Sequence, residues 1–220
     1  MMVPPSTEDL YPTEPRPLNA DSTSLNDWSH LPGRLVVISG PSGSGKTTIV
    51  RRVVADRVKL SVSATTRAAR PGETDGEDYF FLDRKRFAAA VEAGSMLEWA
   101  EVHGNWYGTP ALPVRRSLEA GDCVLLEIDV QGGFQVLERF PATVLVFVNT
   151  PSFPILEDRL RSRSTEGEAA IVRRLDNARR EIALGASYHH QIINEDLDRA
   201  IQALSDLIIR LGCGGDGNDA

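Results

Sequence analysis

The sequence predicts an α/β protein built on a parallel sheet with helices on both faces, and three observations support this. The apolar, β-branched run at residues 35–38 leads directly into a glycine-rich turn and then into a helical pattern. Apolar strands alternate with helical patterns along the rest of the chain, which is typical of a parallel sheet covered on both sides. The 220 residues, 41% hydrophobic and 25% charged, have the size and composition of one compact unit with small insertions.

The spacing of apolar residues predicts the elements in chain order. Strands are expected over 35–38, 59–65, 96–102, 123–129, 143–149 and 192–194. Helices are expected over 46–57, 83–91, 114–120, 131–140, 153–189 and 196–211, the fifth interrupted by the polar run 162–167. A turn is expected over 105–110. Two irregular stretches, about 60–115 and 160–172, are candidates for inserted functional pieces.

The ends of the chain and its bulk charge narrow the function classes. Residues 1–32, with five prolines in the first twenty positions, predict a disordered or loosely docked extension, which is either a dispensable tail or regulatory. The net charge of −7 argues against a general nucleic-acid-binding surface. Cys123 and Cys213 do not suggest a disulfide or a metal site. Without an apolar run of about 18 residues or a signal-peptide layout, we expect a cytoplasmic protein with no membrane partner.

The segment GPSGSGKTT at residues 40–48 has the spacing of a phosphate-binding loop. Glycines let the backbone N–H groups converge on an anion, and the following helix adds the positive end of its dipole. Lys46 can reach the β- and γ-phosphates, and the Thr47 hydroxyl can bind Mg²⁺. The sequence therefore predicts a nucleoside triphosphate bound by the residues of this loop: Gly40, Pro41, Ser42, Gly43, Ser44, Gly45, Lys46, Thr47 and Thr48.

A second set of residues suits a phosphate dianion. Arg67 and Arg70 lie in a turn-rich loop, Tyr79 follows it, and Tyr107 lies beyond the next predicted strand. Two guanidinium groups and two phenols are suitable donors for one phosphate. Solvated surface charge, the usual state of arginine, is the alternative, and composition leaves both open.

The strand CVLLEID ends in two carboxylates, Glu127 and Asp129. In a protein with a phosphate-binding loop, such a strand resembles the second Walker element, whose carboxylate orients Mg²⁺ directly or through water. An exposed acidic strand end without a function is the alternative.

Arginines flank the polar run in the fifth predicted helix, at Arg159, Arg163 and Arg174. Arginines that close over a transferring phosphoryl group stabilise its charge and exclude water. They could instead pair with glutamates of the same stretch along the helix faces, and spacing alone does not decide.

Taken together, five blocks closely resemble the guanylate kinases over about residues 34–210. In chain order they are GPSGSGKTT, SVSATTRAARPGETDGEDYFF, EWAEVHGNWYGTP, LLEIDVQGG and RLRSRSTEGE…RRL. The resemblance implies a parallel-sheet core with an inserted GMP-binding subdomain and a helical lid. It also implies phosphoryl transfer from ATP to GMP or dGMP, giving ADP and GDP, with Mg²⁺.

The resemblance assigns roles and boundaries residue by residue. Its implied GMP-phosphate ligands are Arg67, Arg70, Tyr79 and Tyr107. Its implied guanine-side contacts are Ser63, Glu98, Thr109 and Asp129. Lys46 and Thr47 correspond to the ATP-phosphate and Mg²⁺ groups, and the lid arginines Arg159, Arg163 and Arg174 to those that approach the transferring phosphates. The implied units are a catalytic domain over 33–212, a GMP-binding subdomain over 60–113, core over 33–59 and 114–212, a lid at about 160–172 and a flexible tail over 213–220. Glu127 departs from the aspartate of many family members, which leaves its role open, and Thr109 keeps the hydroxyl of the usual serine.

Guanine chemistry gives independent support to two of these contacts. The Watson–Crick edge of guanine offers two adjacent donors, N1–H and the N2 amino group, beside the O6 acceptor. A carboxylate such as Glu98 can accept from both donors, and a hydroxyl such as Ser63 can donate to O6. Adenine would place a lone pair against Glu98, and an unmatched buried edge discriminates by ~10⁴ or more.

Two other functions remain as alternatives to an ATP:GMP phosphotransferase. The first is a catalytically inactive guanylate-kinase-like interaction module, a class that usually loses one of the two phosphate sites. The second is a kinase with the same loop but a different acceptor, against which Ser63 and Glu98 argue. Protein partners and oligomeric state are not indicated by the sequence.

Overall fold

The computed structural model describes residues 28, 30–102, 104–163 and 167–213, with Arg163 described by its backbone alone. Most of the predicted extension, part of the predicted lid and nearly all of the predicted tail lie outside these residues. The strands are β1 (Arg34–Ser39), β2 (Val58–Leu60), β3 (Ala64–Thr65), β4 (Phe80–Phe81), β5 (Met96–Val102), β6 (Asn105–Pro110), β7 (Cys123–Glu127), β8 (Val144–Asn149) and β9 (His190–Ile193). The helices are α1 (Lys46–Val53), α2 (Arg84–Glu92), α3 (Ala111–Glu119), α4 (Val130–Arg139), α5 (Phe153–Arg163), α6 (Glu168–Gly185) and α7 (Leu197–Arg210).

Strand β1 lies at the centre of a five-stranded parallel sheet with the order β2-β7-β1-β8-β9. Val36 is opposite Leu125 of β7 and Val144 of β8. Its apolar side chains alternate between two buried clusters, one under α1 and α7 and the other under α3 and α4. The predicted parallel sheet with helices on both faces is confirmed.

A second, mixed sheet with the order β4-β3-β6-β5 lies outside the central sheet and corrects two predictions. The single strand predicted over 59–65 is wrong, because β2 joins the central sheet and β3 the second one. The turn predicted over 105–110 is also wrong, since these residues form β6, antiparallel to β5. The turn lies at Gly104, with a φ of +79°, and the aromatic pair that follows favours a strand.

The helices follow the predicted order with two adjustments. Helix α1 ends at Val53 rather than 57, because Val54 is extended and Ala55 and Val58 close a tight turn through reciprocal backbone bonds of 3.1 Å. The predicted helical stretch 153–189 forms two helices, α5 and α6, and Gly167 before α6 is extended. Within the described part of the chain, no helix combines the length and apolar character needed to cross a membrane.

The second hydrophobic cluster includes residues on the N-terminal side of the predicted domain boundary. Trp28 is buried, and its ring stacks on Phe140 with centroids 4.3 Å apart. Leu31 packs against the same cluster. The described end of the predicted extension therefore contributes to the core, and the domain boundaries themselves stay a prediction.

Candidate active site

The glycine-rich turn after β1 is hydrogen-bonded to Asn194, a residue distant from it in the sequence. Gly45 has a φ of +89°, a conformation that glycine adopts without steric cost. The buried side-chain amide of Asn194 donates to the carbonyl oxygen of Ser44 at 2.7 Å. A Cβ atom on Gly45 would lie 2.3 Å from that amide nitrogen. Glycine at position 45 is therefore required both by the backbone angles and by the contact with Asn194.

Helix α1 begins at Lys46, directly after this loop. Its first N–H groups lack partners within the helix, and together with the helix dipole they favour an anion at this end. The Thr47 hydroxyl donates to Oε1 of Glu127, because β7 is the neighbour of β1 and Ile38 lies opposite Glu127. Two oxygen ligands thus meet beside the loop, and a set of this kind fits Mg²⁺.

Glu98 is a buried carboxylate, 4% exposed, on β5. Thr109 lies opposite it on β6 and donates from its hydroxyl to Glu98 Oε1 at 2.7 Å. Burial raises the pKa of Glu98 to about 7, a shift that the Thr109 bond opposes and the charge of Asp129 reinforces. Helix α4 approaches so closely that a Cβ on Gly132 would lie 2.6 Å from Glu98 Oε2. Glu98 is therefore a fixed acceptor in a site of low polarity.

Asp129 and Ser63 face the same cleft as Glu98. Asp129 also caps α4, since its Oδ1 accepts the N–H of Gly132 at 2.7 Å. Ser63 precedes β3, and its backbone carbonyl accepts the N–H of Phe80 at 2.9 Å. The Ser63 hydroxyl takes no part in this bond.

Arg67 is held by a residue that the sequence did not single out. Its two terminal nitrogens donate to the two carboxylate oxygens of Glu73 at 2.9 Å each. The bond raises the pKa of Arg67 and lowers that of Glu73. Glu73 also accepts the backbone N–H of Arg70 at 2.7 Å, and the Arg67 guanidinium lies over the Tyr79 ring, 5.4 Å from its centroid. The loop therefore presents Arg67 in a defined orientation.

The lid arginines are not equivalent. Arg174, on α6, donates to the Ser42 hydroxyl at 2.6 Å and so already touches the phosphate-binding loop. Arg159, on α5, donates to the carbonyl of Asn194 at 3.1 Å. The side chain of Arg163 lies outside the described residues. Arg161, which lies between Arg159 and Arg163 in the sequence, forms ion pairs with Glu157 and Glu168.

Two adjoining clefts bring most of the predicted residues together. The first, of about 440 Å³, is lined by ten of them: Gly40, Ser42, Lys46, Thr47, Ser63, Tyr79, Glu98, Tyr107, Glu127 and Asp129. The second, of about 750 Å³, is lined by Ser42, Arg67, Arg70, Tyr107 and Arg174. Among the other predicted residues, Thr109 lies beneath Glu98 and Pro41, Gly43, Ser44, Gly45 and Thr48 belong to the loop and the start of α1. The volume of each cleft lies within the range of small-molecule sites, about 300–1,000 Å³.

Sequence reasoning missed a residue that lines these clefts and three that support the site. Glu181, on α6, lines both clefts, and burial raises its pKa to about 7 against the opposing effect of Lys46. Tyr188 supports the loop from below, with its hydroxyl 2.9 Å from that of Ser39, and burial raises its pKa to about 12. Glu73 had a local signal, because a glutamate in the same turn as two arginines is a candidate partner. No local sequence pattern pointed to Tyr188 or Asn194.

Comparisons with known proteins identify the family of this chain. A family model described as "Guanylate kinase" matches residues 32–211. The guanylate kinase of Gloeobacter violaceus is 50% identical over 181 residues, covering 81% of this chain and 88% of that protein. That of Rubrobacter xylanophilus is 45% identical over 186 residues, covering 84% and 97%. The crystal structure of guanylate kinase from Anaplasma phagocytophilum superposes with a TM-score of 0.69 at 34% identity, covering 84% of this chain and 88% of that one. Because sequence and fold both match over nearly the whole length of these relatives, the chain belongs to the guanylate kinase family.

Proposed function

We propose that this protein transfers the terminal phosphoryl group of ATP to GMP or dGMP, reversibly and with Mg²⁺, giving ADP and GDP. One observation carries the proposal. The loop residues Lys46 and Thr47 line the same cleft as Ser63 and Glu98, so a donor site and a base-recognition site share one space. An interaction module without activity needs neither site, so the presence of residues suited to both supports the transfer reaction.

On the donor side, the backbone N–H groups of the loop and the start of α1 bind the ATP phosphates, and Lys46 neutralises their charge. Thr47 and Glu127 would hold Mg²⁺ together with phosphate oxygens, and the ion would neutralise charge on the β- and γ-phosphates. The direct contact between these two side chains supports this assignment.

On the acceptor side, Arg67, Arg70, Tyr79 and Tyr107 bind the GMP phosphate. Glu98 accepts from guanine N1–H and N2–H, and Thr109 fixes the orientation of that carboxylate. The hydroxyl of Ser63 donates to O6, and Asp129 lies beside the base.

The reaction breaks the bond between the γ-phosphorus and the oxygen that leaves with ADP, and it forms a bond to an oxygen of the GMP phosphate. No protein nucleophile is required, so the residues act by positioning and by neutralising charge. Arg174, already at the loop, and Arg159 and Arg163 approach the transferring group as the lid closes. Closure excludes water, which would otherwise compete with GMP as the acceptor.

A coupled assay of ADP release with GMP, dGMP, AMP, CMP and UMP tests this function. We expect turnover with GMP and dGMP, and specificity for GMP over AMP of ~10⁴ or more, because adenine would leave Glu98 unmatched. Folded protein without GMP-dependent turnover would refute the transfer reaction, and a preference for AMP would refute the role of Glu98. ATP, ADP, GMP and GDP are then its small-molecule partners, and a cytoplasmic location without nucleic-acid or membrane partners stays a prediction.

A further inference from the structure

The segment between β3 and β4, residues 66–79, carries Arg67, Arg70 and Tyr79, and we call it the acceptor-phosphate loop. An ion pair connects it to α1, the helix that follows the phosphate-binding loop. Arg51, on α1, donates from Nη2 to Oδ1 of Asp78 at 3.0 Å. The other carboxylate oxygen of Asp78 accepts the backbone N–H of Thr74 at 3.0 Å. The side chains are 64% and 26% exposed, and both residues line the 440 Å³ cleft. The ion pair therefore lies on the wall of the site.

The two partners belong to segments that must meet during transfer. Arg51 is on the helix that begins with Lys46, about 7.5 Å further along its axis at 1.5 Å per residue. Asp78 directly precedes Tyr79, one of the proposed ligands of the GMP phosphate. Holding Asp78 on α1 therefore fixes the distance between the donor loop and the acceptor-phosphate loop.

The base end of the same subdomain is attached to the core in a different way. Arg139 of α4 donates to the carbonyl oxygens of Met96 and Leu97 at 3.3 and 2.8 Å. Gln135 exchanges bonds with the backbone of Trp99. These contacts do not reach the acceptor-phosphate loop, whereas the ion pair joins that loop directly to α1.

We propose that Arg51 and Asp78 are a positioning pair that holds the acceptor-phosphate loop against the donor helix. This inference rests on the proposed function. An isolated exposed ion pair contributes little because two mobile side chains must be ordered. Here the bond to Thr74 already orders the Asp78 carboxylate. A displaced loop would hold Arg67 and Tyr79 away from the GMP phosphate, which weakens GMP binding.

The experiment compares Arg51→Ala, Asp78→Asn and the double variant with two matched controls. Arg52→Ala removes the same charge one residue further along α1, and Glu77→Gln removes a carboxylate from the same cleft wall. We expect each test variant to raise KM for GMP two- to fivefold, the range of exposed ion pairs. KM for ATP and the melting temperature should stay at their unsubstituted values. The double variant should be no worse than either single one, because the two side chains act as a unit.

Ionic strength and charge reversal provide further readouts. The difference in KM for GMP between the unsubstituted protein and Arg51→Ala should disappear at about 1 M salt, where the Debye length is about 3 Å. The reversed pair, Arg51→Asp with Asp78→Arg, should regain part of the GMP affinity that Arg51→Asp alone loses. Additive effects in the double variant, no regain on reversal, or a loss of kcat at unchanged KM for GMP would each overturn the proposal.

Failure of the proposed function gives a different result. Turnover of the unsubstituted protein with GMP tests the function by itself. Calorimetric GMP affinities of the same variants test the ion pair without any turnover, so a protein that binds GMP but does not transfer phosphate would refute the function alone. Equal GMP affinities in the unsubstituted protein and Arg51→Ala would overturn the proposal that Arg51 and Asp78 position the loop.

Discussion

The two ends of the predicted GMP-binding subdomain, residues 60–113, are built on different physical principles. At the base end, Glu98 and Thr109 are buried at 4% and 0% exposure, and α4 packs directly against them. At the phosphate end, Arg70 is exposed, and Arg67 is oriented by Glu73 within a loop that has little regular structure. The base end relies on buried groups in a fixed arrangement and in surroundings of low polarity. The phosphate end relies on charge.

The difference fits what each end would recognise under the proposed function. Guanine and adenine differ in the hydrogen-bonding groups at N1, C2 and C6, and only a buried, fixed partner makes a mismatch costly. A phosphate dianion is recognised by its charge and by guanidinium groups held in a suitable orientation, and it must also approach the donor. We therefore expect substitutions at the base end to alter selectivity, and those at the phosphate end to alter affinity.

The largest effect is expected from a residue at neither end. Lys46→Ala removes the cation that neutralises the donor phosphates, and kcat should fall by about 10³-fold, the magnitude of one lost electrostatic contact to the transferring group. GMP affinity measured by calorimetry should remain, because Glu98 and Arg67 are untouched. Lys85→Ala, on the exposed surface of α2, is the control. Turnover unaffected by Lys46→Ala would contradict the donor assignment.

Glu98→Gln tests the base end. The amide replaces one acceptor oxygen with a donor that clashes with guanine N1–H or N2–H, so the specificity for GMP over AMP should fall by about 100-fold or more. The measurement is kcat/KM for both nucleotides. Glu101→Gln, on the exposed side of the same strand, is the matched control. A selectivity that stays at its original value in Glu98→Gln would remove Glu98 from base recognition.

The pH dependence of GMP binding sharpens this assignment. Burial raises the pKa of Glu98 to about 7, and guanine requires the ionised form. GMP affinity should therefore weaken about tenfold between pH 8 and pH 6, because roughly one carboxylate in ten is ionised one unit below its pKa. The GMP phosphate also titrates near pH 6. Glu98→Gln is the control, because the GMP phosphate and Glu181 are both still present when this variant binds GMP. An equally steep profile in Glu98→Gln would show that Glu98 does not cause it.

The parts of the site that the sequence predicts are those in which neighbours along the chain act together. The loop from Gly40 to Thr48 is one continuous segment, so its spacing specifies its function. The contact of Asn194 with Ser44 joins residues 150 positions apart, and no local pattern encodes it. The pairing of Glu98 with Thr109 depends on the register of β5 and β6, which was hidden because 105–110 resembled a turn.

The smallest effect is expected at the phosphate end, from Glu73→Gln. Two contributions oppose each other there. Removing the carboxylate raises the positive charge near GMP, which favours binding. It also weakens the hydrogen bonds that Glu73 accepts from the Arg67 side chain and the Arg70 backbone N–H.

Although the amide keeps one acceptor, we expect the loss of orientation to exceed the gain in charge, so KM for GMP should rise about fivefold. Selectivity for GMP over AMP should be unchanged, in contrast to Glu98→Gln. Glu77→Gln removes the same charge from the same loop without touching Arg67, and it should leave KM for GMP equal or slightly lower. Tighter GMP binding in Glu73→Gln would show that charge, rather than the orientation of Arg67, limits the phosphate end.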